Sequence, residues 1–117
     1  MARRPRAVVC DDDRMARQVV AMVLADCGVD VVGEADNAAG VIELNAQLVP
    51  EFVILDTSLP GMSGLEAIPA LRDANPKGRI VVCSAFDSGQ SAIDAGADAA
   101  VDKAEMSELE ATVKRLK

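Results

Sequence analysis

Residues 52–64 read Phe52-Val53-Ile54-Leu55-Asp56-Thr57-Ser58-Leu59-Pro60-Gly61-Met62-Ser63-Gly64. Four consecutive apolar residues with no polar alternation describe a strand buried on both faces, as in a parallel sheet covered by helices. The run stops at an acid, and Pro60, Gly61 and Gly64 mark the stretch after it as a loop. Working outward, the same unit recurs. Ala7–Cys10 and Ile80–Cys83 are short apolar runs that end at Asp11 and Ser84, and Val29–Ala35 and Ala99–Val101 complete a set of five strands.

The segments between these runs carry helical spacing. Arg14–Cys27 places Met15, Val19, Met22 and Val23 on one expected core face, and Gly28 stops it. Asn37 is an N-cap for a helix with the stripe Val41, Leu44 and Leu48, which ends before Pro50. Leu65, Ile68 and Leu71 mark a third helix, in which Pro69 must sit in the first turn or cause a kink. Ser88–Ala95 is a short fourth helix closed by Gly96, and Met106, Leu109, Val113 and Leu116 define a fifth that starts near Glu105. Strands alternating with helices predict an α/β fold: a doubly wound parallel sheet with helices on both faces. No repeat, low-complexity stretch or linker divides residues 1–117, so one domain is expected, with residues 1–6 (Arg3, Arg4, Arg6) as a flexible basic arm.

Composition narrows the function. The net charge of −7 disfavours contact with nucleic-acid phosphates. With no histidine there is neither a Ser-His-Asp triad nor a Cys-His pair. Cys10, Cys27 and Cys83 are too far apart in sequence for a typical zinc site and read as reduced, buried thiols of a cytoplasmic protein. No apolar run approaches the roughly 20 residues that span a bilayer, and none after the arginines is long enough for a signal peptide.

In open parallel sheets ligands bind beyond the carboxyl ends of the strands. Those ends carry Asp11-Asp12-Asp13, Asp56, Ser84 and Asp102-Lys103. Neighbouring strands lie about 4.8 Å apart, so these side chains can meet in one pocket. Carboxylates gathered there repel one another, and a hard divalent cation such as Mg²⁺, which favours carboxylate, water and phosphate oxygens, relieves the repulsion. Asp56 is then suited to nucleophilic attack on phosphorus, with Lys103 and the Ser84 hydroxyl set to meet phosphoryl oxygens.

With these residues in view, nearly the whole chain resembles the receiver domain of bacterial response regulators. The segments that carry the resemblance are Val8–Asp13, Phe52–Gly64, Ile80–Ala85 and Gly96–Lys103. The resemblance implies a flavodoxin-like (βα)5 sheet of order 2-1-3-4-5. It implies Mg²⁺ held by Asp11, Asp12, Asp56 and the backbone carbonyl of Ser58, phosphorylation of Asp56, and roles for Ser84 and Lys103 at the phosphoryl group. The implied partners are a histidine kinase or histidine phosphotransfer protein and a downstream protein target. No nucleic acid or membrane is implied, and the expected state is a monomer or weak dimer. Such a domain phosphorylates and dephosphorylates itself without being a conventional enzyme, and Ser58 and Phe86 occupy positions that influence hydrolysis in the family. Asp13 reads instead as an N-cap.

Three departures from the family pattern fall together. Ala100 replaces the aromatic that precedes the lysine by three residues, the stretch from Ser84 to Gly96 is about one helical turn short, and Ala104 stands where proline is frequent. These bear on the output step more than on phosphoryl acceptance. No attached output domain is expected after the fifth helix. A phosphorylation-independent interaction module on the same fold is the alternative function. A hydrolase using Asp11 and Asp13 is a third reading, but it leaves the Asp56 segment unexplained, and there is no glycine-rich nucleotide motif.

Overall fold

The computed structural model describes residues 3–85 and 89–117. The elements are β1 (Arg6–Cys10), α1 (Arg14–Asp26), β2 (Asp30–Ala35), α2 (Ala38–Leu48), β3 (Phe52–Leu55), α3 (Gly64–Ala74), β4 (Arg79–Ser84), α4 (Gly89–Ala95), β5 (Ala99–Asp102) and α5 (Met106–Leu116). All strand pairings are parallel, in the order β2-β1-β3-β4-β5. This is the flavodoxin-like arrangement expected from the sequence. Chain order reverses between β1 and β3, so a crevice opens beyond their carboxyl ends.

Successive strand residues face opposite sides of the sheet and build two cores. Val9, Ile54, Phe52 and Val81 pack with Val20 and Leu24 of α1 and with Leu109 and Val113 of α5. Val8, Val53, Leu55 and Val82 pack with Val41 of α2, Ile68 and Leu71 of α3, and Ala92 of α4. The continuous apolar runs are explained by this two-sided burial.

The stripe expected on α1 is corrected. Met15, Val19 and Met22 are 73%, 45% and 68% exposed, while Val20 and Leu24 are buried and Val23 is partly buried. Both Met15-Val19-Met22 and Val20-Leu24-Cys27 have i, i+4, i+7 spacing, so periodicity supports either face. The second seals the core, and the first is left in solvent. Pro69 lies in the second turn of α3, not the first, on the solvent side, and the helix continues through it.

Helix starts follow local chemistry. The Asp13 carboxylate accepts from the Met15 amide at 3.0 Å, as its N-cap reading required. Asn37 accepts from the Gly40 amide at 2.8 Å, and Ser63 caps α3 through the Leu65 amide at 3.2 Å. At the amino end, Arg6 opens β1, Arg3 pairs with Glu51 and Arg4 with Asp30, each at 3.1 Å, so these arginines lie along the domain. Among the described residues no helix is long and apolar enough to cross a membrane.

Candidate functional site

Two acids are delivered by adjacent strands at the switch point. Just past β1, the Asp11 amide donates to the carbonyl of Ala35 at the end of β2, at 3.1 Å. Just past β3, the Asp56 amide donates to the carbonyl of Cys10 at 3.0 Å. Each acid thus extends its ladder by one bond, which fixes both carboxylates at the sheet edge. Both residues are only 3% exposed, whereas Asp12 is exposed. Carboxylate oxygens of Asp11, Asp12 and Asp56 lie within 4.8 Å of one another.

Lys103 closes the site from the far side. Its amide donates to the Ser84 carbonyl at 2.9 Å, which carries the β4–β5 ladder one residue further. Its Nζ reaches back to Asp11 Oδ2 at 2.6 Å and Asp56 Oδ2 at 3.4 Å. Asp11 Oδ1 accepts from the Asp13 amide at 2.9 Å, and Asp56 Oδ1 from the Ser58 amide at 3.3 Å. Ser84 is buried at the end of β4, with its hydroxyl 2.8 Å from that of Thr57. Ser58 is exposed beside Asp56. Asp102 is exposed and caps the turn after β5 by accepting from the Ala104 amide at 2.9 Å. Ala100 is partly buried against the α2–α3–α4 core. Phe86 lies outside the described residues.

The electrostatics follow from this crowding. Burial, and then the charge of Asp11, push the Asp56 carboxyl above its ordinary value against the opposing pull of Lys103. Burial would lower the Lys103 ammonium, but its hydrogen bond to Asp11 and the charge of Asp56 outweigh that and raise it. Burial raises the Cys10 thiol to about 12 and Cys83 to about 11, so neither offers a thiolate near neutrality. Three carboxylates facing one ammonium form a hard-oxygen donor set of net negative charge, which suits Mg²⁺ better than a soft metal.

Sequence reasoning missed two residues of this site. The Arg17 guanidinium donates to the Asp11 backbone carbonyl at 2.7 Å and to Glu34 of β2 at 3.1 Å. Its signal was a cation one turn into α1, indistinguishable from a solvated surface charge. Thr57, whose hydroxyl meets Ser84, was hidden by its place between the acid and the loop.

The sequence model of the response regulator receiver domain matches residues 7–114. The chain is 31% identical over 90 residues to the chemotaxis protein CheY of Thermotoga maritima, covering 77% of this chain and 75% of that protein. It is 38% identical over 95 residues to the nitrate/nitrite response regulator NarL of Escherichia coli, covering 78% of this chain but 44% of that protein. Among solved structures, the signal receiver domain of NarL from Mycobacterium tuberculosis superposes with a TM-score of 0.87 at 32% identity, covering 96% of this chain and 94% of that one. The BeF3-activated DrrB receiver domain superposes with a TM-score of 0.85 at 25% identity, covering 97% of each chain.

Proposed function

The chain belongs to the response regulator receiver family, and from that premise we propose that it is a phosphoryl-accepting switch whose acceptor is Asp56. The observation that carries this reading is the Lys103 ammonium set between Asp11 and Asp56, with the Asp12 carboxylate within reach of both acids. A carboxylate oxygen of Asp56 forms the bond to phosphorus as the bond to the donor's imidazole nitrogen breaks, and the released imidazole takes a proton from solvent. Asp11, Asp12, Asp56 and the Ser58 carbonyl are the groups that would hold Mg²⁺, which when bound offsets negative charge on the transferring phosphoryl group. Lys103 meets one phosphoryl oxygen with an ammonium, and Ser84 offers a hydroxyl to another. No general base is required, because loose phosphoryl transfer asks chiefly for placement and charge neutralisation.

Receivers act in two-component signalling, so the donor in this reading is a histidine kinase or histidine phosphotransfer protein and the output is a change in affinity for a protein target. The domain works in the cytoplasm as a monomer or weak dimer. Incubation with acetyl phosphate and Mg²⁺, followed by intact-mass measurement, tests the proposal. The expected result is the gain of one phosphoryl group, lost with EDTA and absent in Asp56→Asn. No gain in the wild-type protein would favour a phosphorylation-independent binding module.

A further inference from the structure

Thr57 has no part in the reading above, yet it stands next to the reacting carboxylate. Its Oγ1 lies 2.8 Å from Ser84 Oγ, and either oxygen can be the donor. Thr57 is not free to drift. Its carbonyl accepts from the Gly64 amide at 3.0 Å and from the Ser63 hydroxyl at 3.3 Å, so the start of α3 holds it in place. Ser84 is buried and fastened by the β4–β5 ladder, where its carbonyl accepts from Lys103. Two hydroxyls, one just past β3 and one at the end of β4, therefore face each other beside the acceptor carboxylate's strand end.

A serine hydroxyl has one proton to give. When Ser84 is the donor of this pair, its proton points at Thr57 and not at a phosphoryl oxygen, and turning it costs that bond; when Thr57 is the donor, the two bonds do not compete. We propose that in the phosphoryl-free protein Ser84 is the donor of this pair and Thr57 a positioning residue whose hydroxyl accepts from it, so that an incoming phosphoryl group must win the Ser84 proton from Thr57. The exchange is downhill, because a hydrogen bond to an anionic phosphoryl oxygen is roughly twice as strong as one between neutral hydroxyls. The Thr57 bond is subtracted from that gain and weakens retention of the phosphoryl group. The inference rests on Asp56 being the acceptor and adds a determinant of how firmly the loaded state is held.

The test is titration of the full chain with beryllofluoride at saturating Mg²⁺, followed by amide NMR. Thr57→Val keeps the side-chain shape and β-branching but removes the hydroxyl. It should bind roughly 3–10-fold more tightly than wild type, the effect of releasing one competing hydrogen bond. Thr57→Ser restores the hydroxyl and should return the affinity towards wild type. In a Ser84→Ala background the Thr57→Val gain should vanish, which a merely structural role for Thr57 would not produce. Equal or weaker binding by Thr57→Val, or a gain that persists without Ser84, overturns the proposal while leaving the Asp56 reading intact. A wild-type protein that ignores beryllofluoride and Mg²⁺ overturns both.

Discussion

The Lys103 ammonium sits closer to Asp11 than to Asp56: Nζ is 2.6 Å from one carboxylate and 3.4 Å from the other. Asp11 is also one of the acids that would hold the metal, so lysine and metal draw on the same charge. Lys103→Met should therefore bind Mg²⁺ more tightly, by roughly 3–10-fold, because one cation no longer neutralises the cluster. The same variant should accept phosphoryl groups from acetyl phosphate at least about 10-fold more slowly, having lost a charge that meets the transferring group. Mg²⁺ titration by NMR and the rate of mass gain read the two effects separately. An unchanged Mg²⁺ affinity would show that the ammonium does not compete.

Asp56 makes stability depend on pH in a definite direction. Its carboxyl is raised by burial and by Asp11, so the folded protein holds that proton more readily than the unfolded chain does. Ionisation then costs stability. The cost is absent below the unfolded value and grows as pH rises through the folded one. Asp56→Asn should raise the metal-free Tm at pH 7.5 by about 2–6 °C. The advantage should shrink as pH falls to about 4. Thermal unfolding in EDTA at the two pH values checks this, and an advantage independent of pH would contradict it.

Gly64 is required by contact and not by backbone angle. A Cβ at this position would collide with the carbonyl of Asp56 and press on Thr57 Cα. Gly64→Ala must push the end of β3 away from the start of α3, with an expected loss of about 1–3 kcal/mol and a marked drop in phosphoryl acceptance. Gly61 is the contrast. Its φ of +80° is unfavourable for alanine, but nothing lies within 4 Å of the added methyl. Gly61→Ala should lower stability by about 1 kcal/mol and leave acceptance near wild type. Chemical denaturation beside the acetyl phosphate assay separates the two cases. A Gly64→Ala protein with unaltered acceptance would refute the close-approach argument.

Much of this was legible in the sequence, because the fold is written in uninterrupted apolar runs and the candidate site in what ends them. Asp11, Asp56, Ser84 and Lys103 each follow or close a strand, and strand spacing then does the gathering. Asp13 and Asn37 announced their helices by side-chain chemistry alone. The misreading of α1 came from a real ambiguity, since two apolar stripes share its surface and only the sheet decides between them. A first-turn place for Pro69 fails for a similar reason: a helix can absorb one missing donor on its solvent side, and its boundaries are not visible locally. The roles of Thr57 and Arg17 depend on contacts of the loop after β3 with β4, and of α1 with β2 and the end of β1, that no local pattern encodes.

Arg17 joins α1 to the end of β1 and to β2. It is 17% exposed, and its guanidinium ties the backbone carbonyl of Asp11 at 2.7 Å to Glu34 on the edge strand at 3.1 Å. The Asp11 backbone is therefore gripped through its amide by Ala35 and through its carbonyl by Arg17, which leaves its carboxylate little freedom. Arg17→Met keeps most of the apolar stem and removes the fork. Hydrogen bonds from charged donors are worth about 1.5–3 kcal/mol, so some loss of Tm is expected. Looser placement of Asp11 should also weaken Mg²⁺ binding by roughly 3–10-fold. Glu34→Gln should do far less, since a half-exposed ion pair contributes about 0–1 kcal/mol. Arg17→Lys should fall between them, because one ammonium lacks the planar fork that spans both acceptors. If Arg17→Met loses Tm yet binds Mg²⁺ as the wild type does, Arg17 braces the fold without positioning Asp11.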